Sequence, residues 1–468
     1  MEGLEIVELN SKEFRVDNFD FRLDAEYFSK LNMKLLEKIV RNGFKKIGDF
    51  SFVTDGIHTS IDYSETSNIN LISATSPREN YFDVSRKAFI SEFAHKNNPR
   101  TALKVNDIIL STVGTIGNCA VVTESILPAN SDRHVGIIRS TIGFLPNYVS
   151  TFLLSKYGRF QTLRESTGNV QLNLFIYKIR TLKIANLSVL FQLEIDKLII
   201  EAHSKRQQSQ ETYLSAEEIL LESLELKDFE PSPDAINVKS YKDSFITTGR
   251  LDAEYYQKKY DDYMNLICSY PNGFETIQKS CNQKDSNFSP SKIKEYNYIE
   301  LSNIGKSGDI KGCTTALGNE LPSRARRKVN TSDVIISSIE GSLDSCAVVT
   351  EEYNNALCST GFFIINSFKI NSETLLVLFK SEPMQNILKK SCSGTILTAI
   401  NKTEFQNIPV PIIDKKIQLT IKEKVSESFK FKKLSEDLLN TAKRAVEIAI
   451  EDSEEMAIEY LKKEVKYA

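Results

Sequence analysis

Short polar segments that combine arginine, lysine and asparagine hold the residue types of this sequence best suited to binding chemistry. Arginine can donate two hydrogen bonds to a guanine edge, asparagine or glutamine can pair with an adenine edge, and lysine contacts phosphate. The candidates for such contacts are Arg78, Lys96, Arg100, Asn130 and Arg133 in the first half of the sequence and Lys306, Lys311, Arg324, Arg326, Arg327 and Lys328 in the second. For any one of them alone, a solvated surface charge is the simpler interpretation.

Catalysis needs a nucleophile, a base or a cluster of metal ligands, and no motif of these kinds is recognisable in the sequence. The histidines, His58, His95, His134 and His203, have no zinc-binding spacing, and there is no P-loop, dinucleotide fingerprint or Pro-Pro motif of an amino-methyltransferase. The glycine-containing stretch 113–118 could cradle phosphate, but its later counterpart has a glutamate, so a tight turn is the better interpretation. We therefore assign no catalytic residue and no metal ligand.

Length and composition indicate a folded protein of several domains. The 468 residues allow two to four domains at roughly 100–200 residues each. The fractions of charged residues, 26%, and hydrophobic residues, 41%, are those of globular proteins and exclude a mostly disordered chain. Lys and Arg number 59 against 62 Asp and Glu, a net charge of −3, so any binding to nucleic acid must come from a local patch.

The cysteines and the lengths of the apolar runs indicate the cellular compartment of the protein. Seven cysteines without a CxxC pair argue against a structural zinc site or a secreted disulfide framework, and they favour a reducing cytoplasm. The first residues lack the pattern of a signal peptide, and no apolar run approaches 18 residues. We therefore expect a cytoplasmic protein that does not enter a membrane.

One long internal repeat organises the chain. Arg-Leu-Asp-Ala-Glu-Tyr at 22–27 recurs at 250–255, an offset of 250 − 22 = 228, and Cys-Ala-Val-Val-Thr-Glu at 119–124 recurs at 346–351, an offset of 346 − 119 = 227. Gly168 with Gly394 and Gln192 with Gln418 follow at 226. One domain-sized module is therefore present twice, as in a dimer whose subunits were fused. The proline-containing segment 228–234 marks the seam between the copies.

The order of predicted elements is the same in both copies. A helical pattern at 27–40 and 255–267 is followed by strands at 107–113 and 333–339 and by short helices at 148–157 and 374–388. Asp24 with Glu26, and Asp252 with Glu254, are interpreted as acidic helix-start signals. Each copy ends in a long helix with an apolar stripe. Such a helix could lie on its own domain, but pairing the two would bury both stripes at once.

These features, in this order and duplicated, resemble the specificity (S) subunit of type I restriction-modification systems. The similarity extends from about Arg22 to the last helix and is carried by both Arg-Leu-Asp-Ala-Glu-Tyr starts, by 107–117, by Ser-Thr-Gly-Asn-Val-Gln at 166–171 and by Ile-Pro-Val-Pro at 408–411. The resemblance implies an α+β fold with two tandem, pseudo-symmetric target recognition domains of mixed α/β structure, joined by two long antiparallel coiled-coil helices. The implied boundaries are 1–186 and 227–412 for the recognition domains and 187–226 and 413–468 for the spacer helices.

The resemblance also implies a function. Each repeat would read one half of a split site in double-stranded DNA, and Asn169 and Gln171 join the candidate contacts. The helices would set the spacing between the half-sites and dock DNA adenine methyltransferase (M) subunits, and that complex can in turn recruit a restriction (R) subunit. The chain itself would be non-catalytic and carry no cofactor, with S-adenosylmethionine and ATP on partner subunits.

The sequence departs from a strict repeat, and two other functions stay open. The position of Gln171 is taken by Leu397 in the second copy, which puts a shared base contact there in doubt. The chain could instead be a coiled-coil scaffold whose two heads bind protein partners, for example an inhibitor or DNA mimic, although the Arg324–Lys328 cluster argues against mimicry. A self-contained nuclease is the third hypothesis.

Overall fold

The computed structural model describes residues 7–15, 18, 20–83, 88–168, 170–234, 236–394 and 398–464. The chain divides into two compact units, Met1–Arg206 with Lys433–Ala468, and Gln207–Lys432, which we call the first and second unit. Among the described residues, no helix combines the length and the apolar character needed to cross a membrane.

The first unit contains short strands and short helices followed by a long helix. Its strands are β1 (Phe44–Lys46), β2 (Phe52–Asp55), β3 (Ile69–Ile72), β4 (Phe89–Ile90), β5 (Ile108–Ser111), β6 (Cys119–Val121), β7 (Ala129–Ser131), β8 (Val135–Arg139) and β9 (Lys183–Ala185). Its helices are α1 (Ser11–Arg15), α2 (Lys30–Arg41), α3 (Ile47–Phe50), α4 (Glu92–Asn97), α5 (Pro146–Leu154), α6 (Lys156–Glu165) and α7 (Ile176–Ile179), and α8 (Val189–Ser223) begins in this unit and ends in the second.

The second unit repeats this order. Its strands are β10 (Phe274–Thr276), β11 (Asn282–Gln283), β12 (Glu295–Ile299), β13 (Thr314–Leu317), β14 (Ala325–Lys328), β15 (Val334–Ser337), β16 (Cys346–Val348), β17 (Leu357–Ser359), β18 (Phe362–Asn366), β19 (Cys392–Ser393), β20 (Ala399–Ile400) and β21 (Pro409–Pro411). Its helices are α9 (Lys258–Cys268), α10 (Ile277–Ser280), α11 (Ser372–Lys380), α12 (Glu382–Lys390) and α13 (Lys402–Asn407), after which α14 (Lys415–Glu451) leads back into the first unit and α15 (Glu454–Glu464) follows there.

The strand pairing shows the repeat directly. A four-stranded sheet has the order β2-β8-β5-β6 in the first unit and β11-β18-β15-β16 in the second, and the pair β1-β9 corresponds to β10-β21. A further sheet, β4-β3-β7, corresponds to β13-β12-β17 with β14 added at its edge. We call this last sheet the loop-side sheet of each unit. The two copies therefore share one topology, and the predicted mixed α/β fold is confirmed.

Buried β-branched residues explain why the central strands of the four-stranded sheets are so similar. All four residues of β5 and all four of β15 are buried. Ile109 pairs with Ile137 in the first unit, and Ile335 pairs with Ile364 in the second. Branched side chains on both faces of a strand favour extended backbone and pack against layers on either side.

The long helices pack antiparallel within each unit. In the first unit, Ser188 N donates to Glu454 Oε1 at 2.8 Å, and Ser435 Oγ donates to Ala202 O at 2.7 Å. In the second unit, Ser428 Oγ donates to Ser209 O at 2.8 Å. The predicted apolar stripes are buried along this seam, with the core residues Ile195, Leu198, Ala202, Ala216, Leu220, Ile421, Val425, Leu438, Ala442, Ala445 and Ala449.

The repeated hexapeptide forms a clamp in both units. Arg22 donates to both carboxylate oxygens of Asp24, at 2.8 and 3.0 Å, and to the carbonyl oxygen of Ser166 just after α6, at 3.1 Å. Arg250 binds Asp252 in the same way, at 2.8 and 2.5 Å, and the carbonyl oxygen of Cys392 after α12, at 2.9 Å. The clamp ties the start of each repeat to the end of a helix, which has unpaired carbonyl groups.

The acidic residue of the hexapeptide precedes a short 3-10 helix, Ala253–Tyr256, in the second unit, but in the first unit the helix-start prediction is wrong. Asp24 Oδ1 accepts from Tyr27 N at 3.0 Å in a turn, while α2 begins only at Lys30 and is capped by the Ser29 side chain. Arginine pairing, which adds two charge-assisted hydrogen bonds, explains this position better than a helix dipole does.

Equivalent cysteines mark the β-strands that follow the turns. Cys119 in β6 and Cys346 in β16 are both buried, and burial raises the pKa of each thiol to about 12. The turn before β6 has Gly114 at φ +72° and Gly117 at φ +84°, which agrees with the predicted tight turn. A thiol with so high a pKa stays protonated and unreactive near neutral pH.

Candidate nucleic-acid interface

Loops at one end of the strands bring several predicted residues of the first unit together. Ile57 N donates to Ser131 O at 2.8 Å, which joins the loop after β2 to the last residue of β7. Asn130 Nδ2 donates to Asn98 O at 3.1 Å, which adds the loop after α4. Arg100 and Arg133 lie on these joined loops, together with two histidines that sequence reasoning set aside, His58 and His134. We call these loops, 54–58, 98–101 and 130–134, the first-unit loop cluster.

Arg100 is held by its own unit. Its Nη1 donates to Asp55 Oδ1 at 2.9 Å and to Asp55 O at 3.0 Å, and Nη2 donates to Gly56 O at 3.2 Å. Burial raises the pKa of the Asp55 carboxyl, but hydrogen bonds from His58 and Arg100 outweigh it and leave that pKa below its usual value. About half of the Arg100 side chain, 49%, is exposed, so the guanidinium both supports the loop and presents charge to solvent.

Arg133 and His134 form the outer part of the cluster. Asp132 Oδ1 accepts from the His134 backbone at 2.8 Å, and its Oδ2 lies 3.2 Å from His134 Nδ1. Arg133 is exposed, and its Nε lies 3.4 Å from His134 Nε2. The His134 ring accepts from Arg133 Nε and so orients the exposed guanidinium, which is suitable for a phosphate or a guanine edge.

Asn130 requires a correction. It lies in β7 with none of its surface exposed, and its amide donates to Thr101 Oγ1 at 2.9 Å while its oxygen is bonded to His95 Nδ1. In this position the side chain cannot reach a base edge. It holds the loop cluster together, as buried amides do when each polar atom finds a partner.

The other candidates of the first unit lie apart. Arg78 Nη2 is 3.5 Å from Asp83 Oδ2, and Lys96 on α4 pairs with Glu92 at 3.0 Å, with both of these side chains largely exposed. Gln171 is exposed in the loop between α6 and α7. Asn169 lies outside the described residues.

In the second unit, the most cationic stretch of the sequence is an edge strand. Arg324 precedes β14, and Arg326, Arg327 and Lys328 lie within it. The strand pairs with β17, and its register shifts between Ala325 and Arg327. Arg324, Arg326 and Lys328 are exposed, and the Glu300 carboxylate lies 3.8 Å from Arg324.

Arg327 differs from its neighbours. Its side chain is half-buried, and its Nε and Nη1 atoms are buried without a hydrogen-bond partner among the described residues. Burial of guanidinium donors without partners lowers the stability of the fold. Because these nitrogens are buried, Arg327 lies beneath the strand, while the other three cations lie on its outer surface.

Lys306 and Lys311 lie on the connection between β12 and β13, and both are exposed. The backbone N–H of Lys311 donates to Asn303 O at 2.7 Å, which fixes the course of this loop. This connection lies at the edge of the loop-side sheet opposite to β14, so the two lysines form a separate cationic site of the second unit.

Sequence reasoning missed the aromatic part of this surface. Phe288 and Tyr296 lie with their ring centroids 5.8 Å apart and line a cleft of about 550 Å³ beside Lys328. In the sequence, only the alternating tyrosines of Lys-Glu-Tyr-Asn-Tyr around β12 hint at this aromatic surface. The signal is weak, because alternating aromatics are also typical of an ordinary strand. Within the described residues, no group of three or more His, Cys, Asp or Glu side chains could hold a metal ion.

No protein-family model and no curated protein sequence matches the chain. Among solved structures, it is similar to the S subunit of a type I restriction-modification system from M. genitalium, with 11% identity, a TM-score of 0.40 and coverage of 86% of this chain and 94% of that chain. A structure of assembly and conformational transition in the type I R-M system has 11% identity, a TM-score of 0.28 and coverage of 88% and 96%. The HsdS subunit from Thermoanaerobacter tengcongensis has 12% identity, a TM-score of 0.27 and coverage of 88% and 95%.

We base the function proposed below on the chain's own repeated topology and charged side chains.

Proposed function

We propose that the chain is the DNA sequence-specificity subunit of a type I-like restriction-modification complex. The observation that carries this proposal is that two units with one strand topology present different cationic side chains at corresponding places. Shared topology supplies one way of docking on DNA, and divergent loops supply two different sequence preferences.

Each unit reads one half of a bipartite site in double-stranded DNA. In the first unit, Arg133 with the neighbouring His134 faces the DNA, and Gln171 is a second contact. In the second unit, Arg324, Arg326 and Lys328 contact bases or phosphate, with Lys306 and Lys311 on the flanking backbone. Because the net charge is only −3, we assign much of the phosphate affinity to partner subunits.

The long helices set the spacing and dock the adenine-specific methyltransferase subunits. Helices α8 and α14 have 35 and 37 residues, so at about 1.5 Å per residue each is about 55 Å long. S-adenosylmethionine and ATP bind to partner subunits in this proposal, and the chain contributes recognition without catalysis. The complex acts in the cytoplasm, and a restriction subunit joins it where cleavage accompanies methylation.

The test is co-purification followed by mapping of methylated DNA. We expect the chain to co-purify with a methyltransferase subunit, and long-read sequencing of cells with and without it to reveal a split adenine-methylated motif that depends on it. A methylation pattern that is identical in both strains would contradict the proposal.

Variants of single units sharpen this test. Arg326→Ala with Lys328→Ala should relax or weaken recognition of one half of the motif, while Arg133→Ala should affect only the other half. Lys279→Ala, at an exposed lysine of α10 in the second unit, is the matched control and should leave the motif unchanged. If both unit variants alter the same half, the bipartite assignment is wrong. If neither alters DNA binding while a protein partner is retained, a protein-binding scaffold is the better description.

A further inference from the structure

A cleft opens on the loop-side sheet of the second unit, between β12, β13 and the connections that lead to β14 and β17. Its volume is about 550 Å³, within the roughly 300–1,000 Å³ typical of small-ligand sites. Its lining combines aromatic, amide and cationic side chains, namely Phe288, Lys294, Glu295, Tyr296, Asn297, Thr315, Lys328, Asn354 and Asn355.

The aromatic wall of the cleft is fixed in place. Phe288 and Tyr296 are half-buried and meet nearly edge to face, at an interplanar angle of 69°. They pack against a small apolar cluster of Tyr298, Ala325 and Leu357. Rings held from behind in this way present π surface to the cleft at little entropic cost, which is the requirement for stacking a planar ligand.

Cations flank both rings. The ammonium group of Lys294 lies 5.7 Å from the centroid of Tyr296, and that of Lys328 lies 5.8 Å from the centroid of Phe288. Each aromatic surface therefore has a positive charge next to it, which suits a planar group that carries a phosphate nearby.

The remaining wall is rich in hydrogen-bonding groups. Asn297, Asn354 and Asn355 are exposed, and Thr315 Oγ1 donates to Asn297 Oδ1 at 2.9 Å, which leaves the Asn297 amide hydrogens available to a ligand. The carboxylate of Glu295 also lines the cleft. It would repel phosphate at its own end but accepts well from an exocyclic amino group.

The first unit does not repeat this chemistry. Tyr298 pairs with Leu357 in the second unit as Leu71 pairs with Asn130 in the first, so at the repeat offset of 227 Tyr298 and Tyr296 correspond to Leu71 and Ile69. Both tyrosines are thus replaced by aliphatic residues at equivalent positions of the same sheet. The aromatic wall belongs to the second copy and is not a requirement of the shared fold.

We propose that this cleft binds one unstacked nucleobase of the DNA that the second unit contacts. The base stacks on Tyr296 and Phe288, the asparagine amides and Glu295 bond its edge, and Lys294 and Lys328 contact the adjoining phosphates. The inference rests on the proposed function and deepens it, because it gives the second unit a mode of reading that the first unit lacks.

The sequence contains no tryptophan, which permits a direct test in the full-length chain. Tyr296→Trp introduces a single fluorophore into the cleft, and Phe368→Trp introduces one at a fully exposed aromatic of the same unit as the control. Each variant is titrated with mixed-sequence single-stranded DNA and with duplex DNA that contains an unpaired base. Stacking should quench the emission of Tyr296→Trp by about half or more and should leave the control nearly unchanged.

Affinity measurements complete the test. Tyr296→Ala should weaken binding of single-stranded DNA by roughly 5- to 150-fold, the range for loss of one base–aromatic stack, while Tyr296→Phe should bind as the unaltered chain does. Thermal unfolding of the unaltered chain, Tyr296→Ala and Tyr296→Phe shows whether the two variants are folded.

The outcomes separate this inference from the proposed function. If fully paired duplex still binds but Tyr296→Trp is not quenched and Tyr296→Ala binds normally, the base-binding cleft is wrong and the specificity function stands. If no DNA of any kind binds to the chain or to its methyltransferase complex, both are wrong. If Tyr296→Ala loses a protein partner with unchanged DNA affinity, the cleft is a protein-docking site and the inference is overturned.

Discussion

The two units have the same strand topology but present different surfaces. Their four-stranded sheets have one strand order, and both units clamp the start of the repeat through an arginine and an aspartate. Outside these shared parts, however, the first unit has a cluster of arginine, histidine and carboxylate side chains at the ends of β2 and β7, whereas the second has tyrosine, phenylalanine and lysine around a cleft.

This difference shows which positions packing constrains. The buried strands β5 and β15 keep nearly the same residues, Ile-Ile-Leu-Ser and Val-Ile-Ile-Ser, because a change in volume or polarity there costs stability directly. Exposed positions on the loops and on the solvent-facing side of these sheets contribute little to the core and are free to diverge, so the two units could acquire different binding chemistry without changing their topology.

Removal of a buried carboxylate should distinguish the units most strongly. Asp107 accepts from Arg139 Nε and Nη2 at 2.8 and 2.6 Å, while Asp333, at the same place in the repeat, is bound by Lys284 at 2.7 Å. The Arg139 side chain is 15% exposed and that of Lys284 is 30% exposed. Asp107→Ala should therefore cost about 3–5 kcal/mol, because a buried charge loses its partner, and Asp333→Ala about 1–3 kcal/mol.

Hydrogen exchange measured by mass spectrometry can assign each loss to its unit. Protection should fall in the peptides of the first unit for Asp107→Ala and in those of the second unit for Asp333→Ala. Equal losses in the two variants would mean that exposure of the cation does not control the cost.

The arginine clamps should respond to acid in the same way in both units. Hydrogen bonds from Arg22 and Arg250 lower the pKa of Asp24 and Asp252 from the usual 3.8. Each ionised carboxylate therefore stabilises the fold above about pH 4, and this contribution is lost as the pH falls through the lowered pKa. Asp24→Asn and Asp252→Asn should be less stable than the unaltered chain at neutral pH, and the difference should shrink below about pH 4.

Denaturant titrations of the two asparagine variants between neutral and acidic pH give the measurement. Both carboxylates are largely exposed, so solvent screening keeps the effect small. Opposite pH trends in the two units would show that the clamps are not equivalent.

The smallest effect is expected at Lys96. Its pairing with Glu92 on α4 joins two side chains that are 74% and 76% exposed, so Lys96→Ala should change stability by less than about 0.5 kcal/mol. If Lys96 contacts phosphate, the same variant should weaken DNA binding and make it less salt-dependent. Binding measured at two salt concentrations separates these roles, and a large change in thermal stability would contradict both.

Much of the architecture could be predicted from the sequence, because the duplication leaves identical hexapeptides at corresponding positions of the two copies. The anchors at 22 and 250 and at 119 and 346 lie at corresponding points of the two units, and the strands expected at 107–113 and 333–339 are present as β5 and β15. Alternation and β-branching identify buried strands well because both follow from local backbone geometry.

The interface could be predicted less well, because it depends on contacts distant in sequence. Asn130 resembled a base reader, yet it is buried by residues from the loop after α4. Phe288 and Tyr296 meet across a loop without any periodic signal. The sequence of neighbouring arginines does not indicate that the Arg327 side chain lies beneath its strand while that of Arg326 does not.

The positions of the cysteines make each unit separately observable. Of the seven cysteines, only Cys119 precedes residue 206, and it is buried in β6. A thiol probe can reach it only when the first unit opens, so the rate of its modification reports the opening free energy of that unit alone. The chain thus contains a native kinetic sensor for one half of itself, and no cysteine has to be introduced to use it.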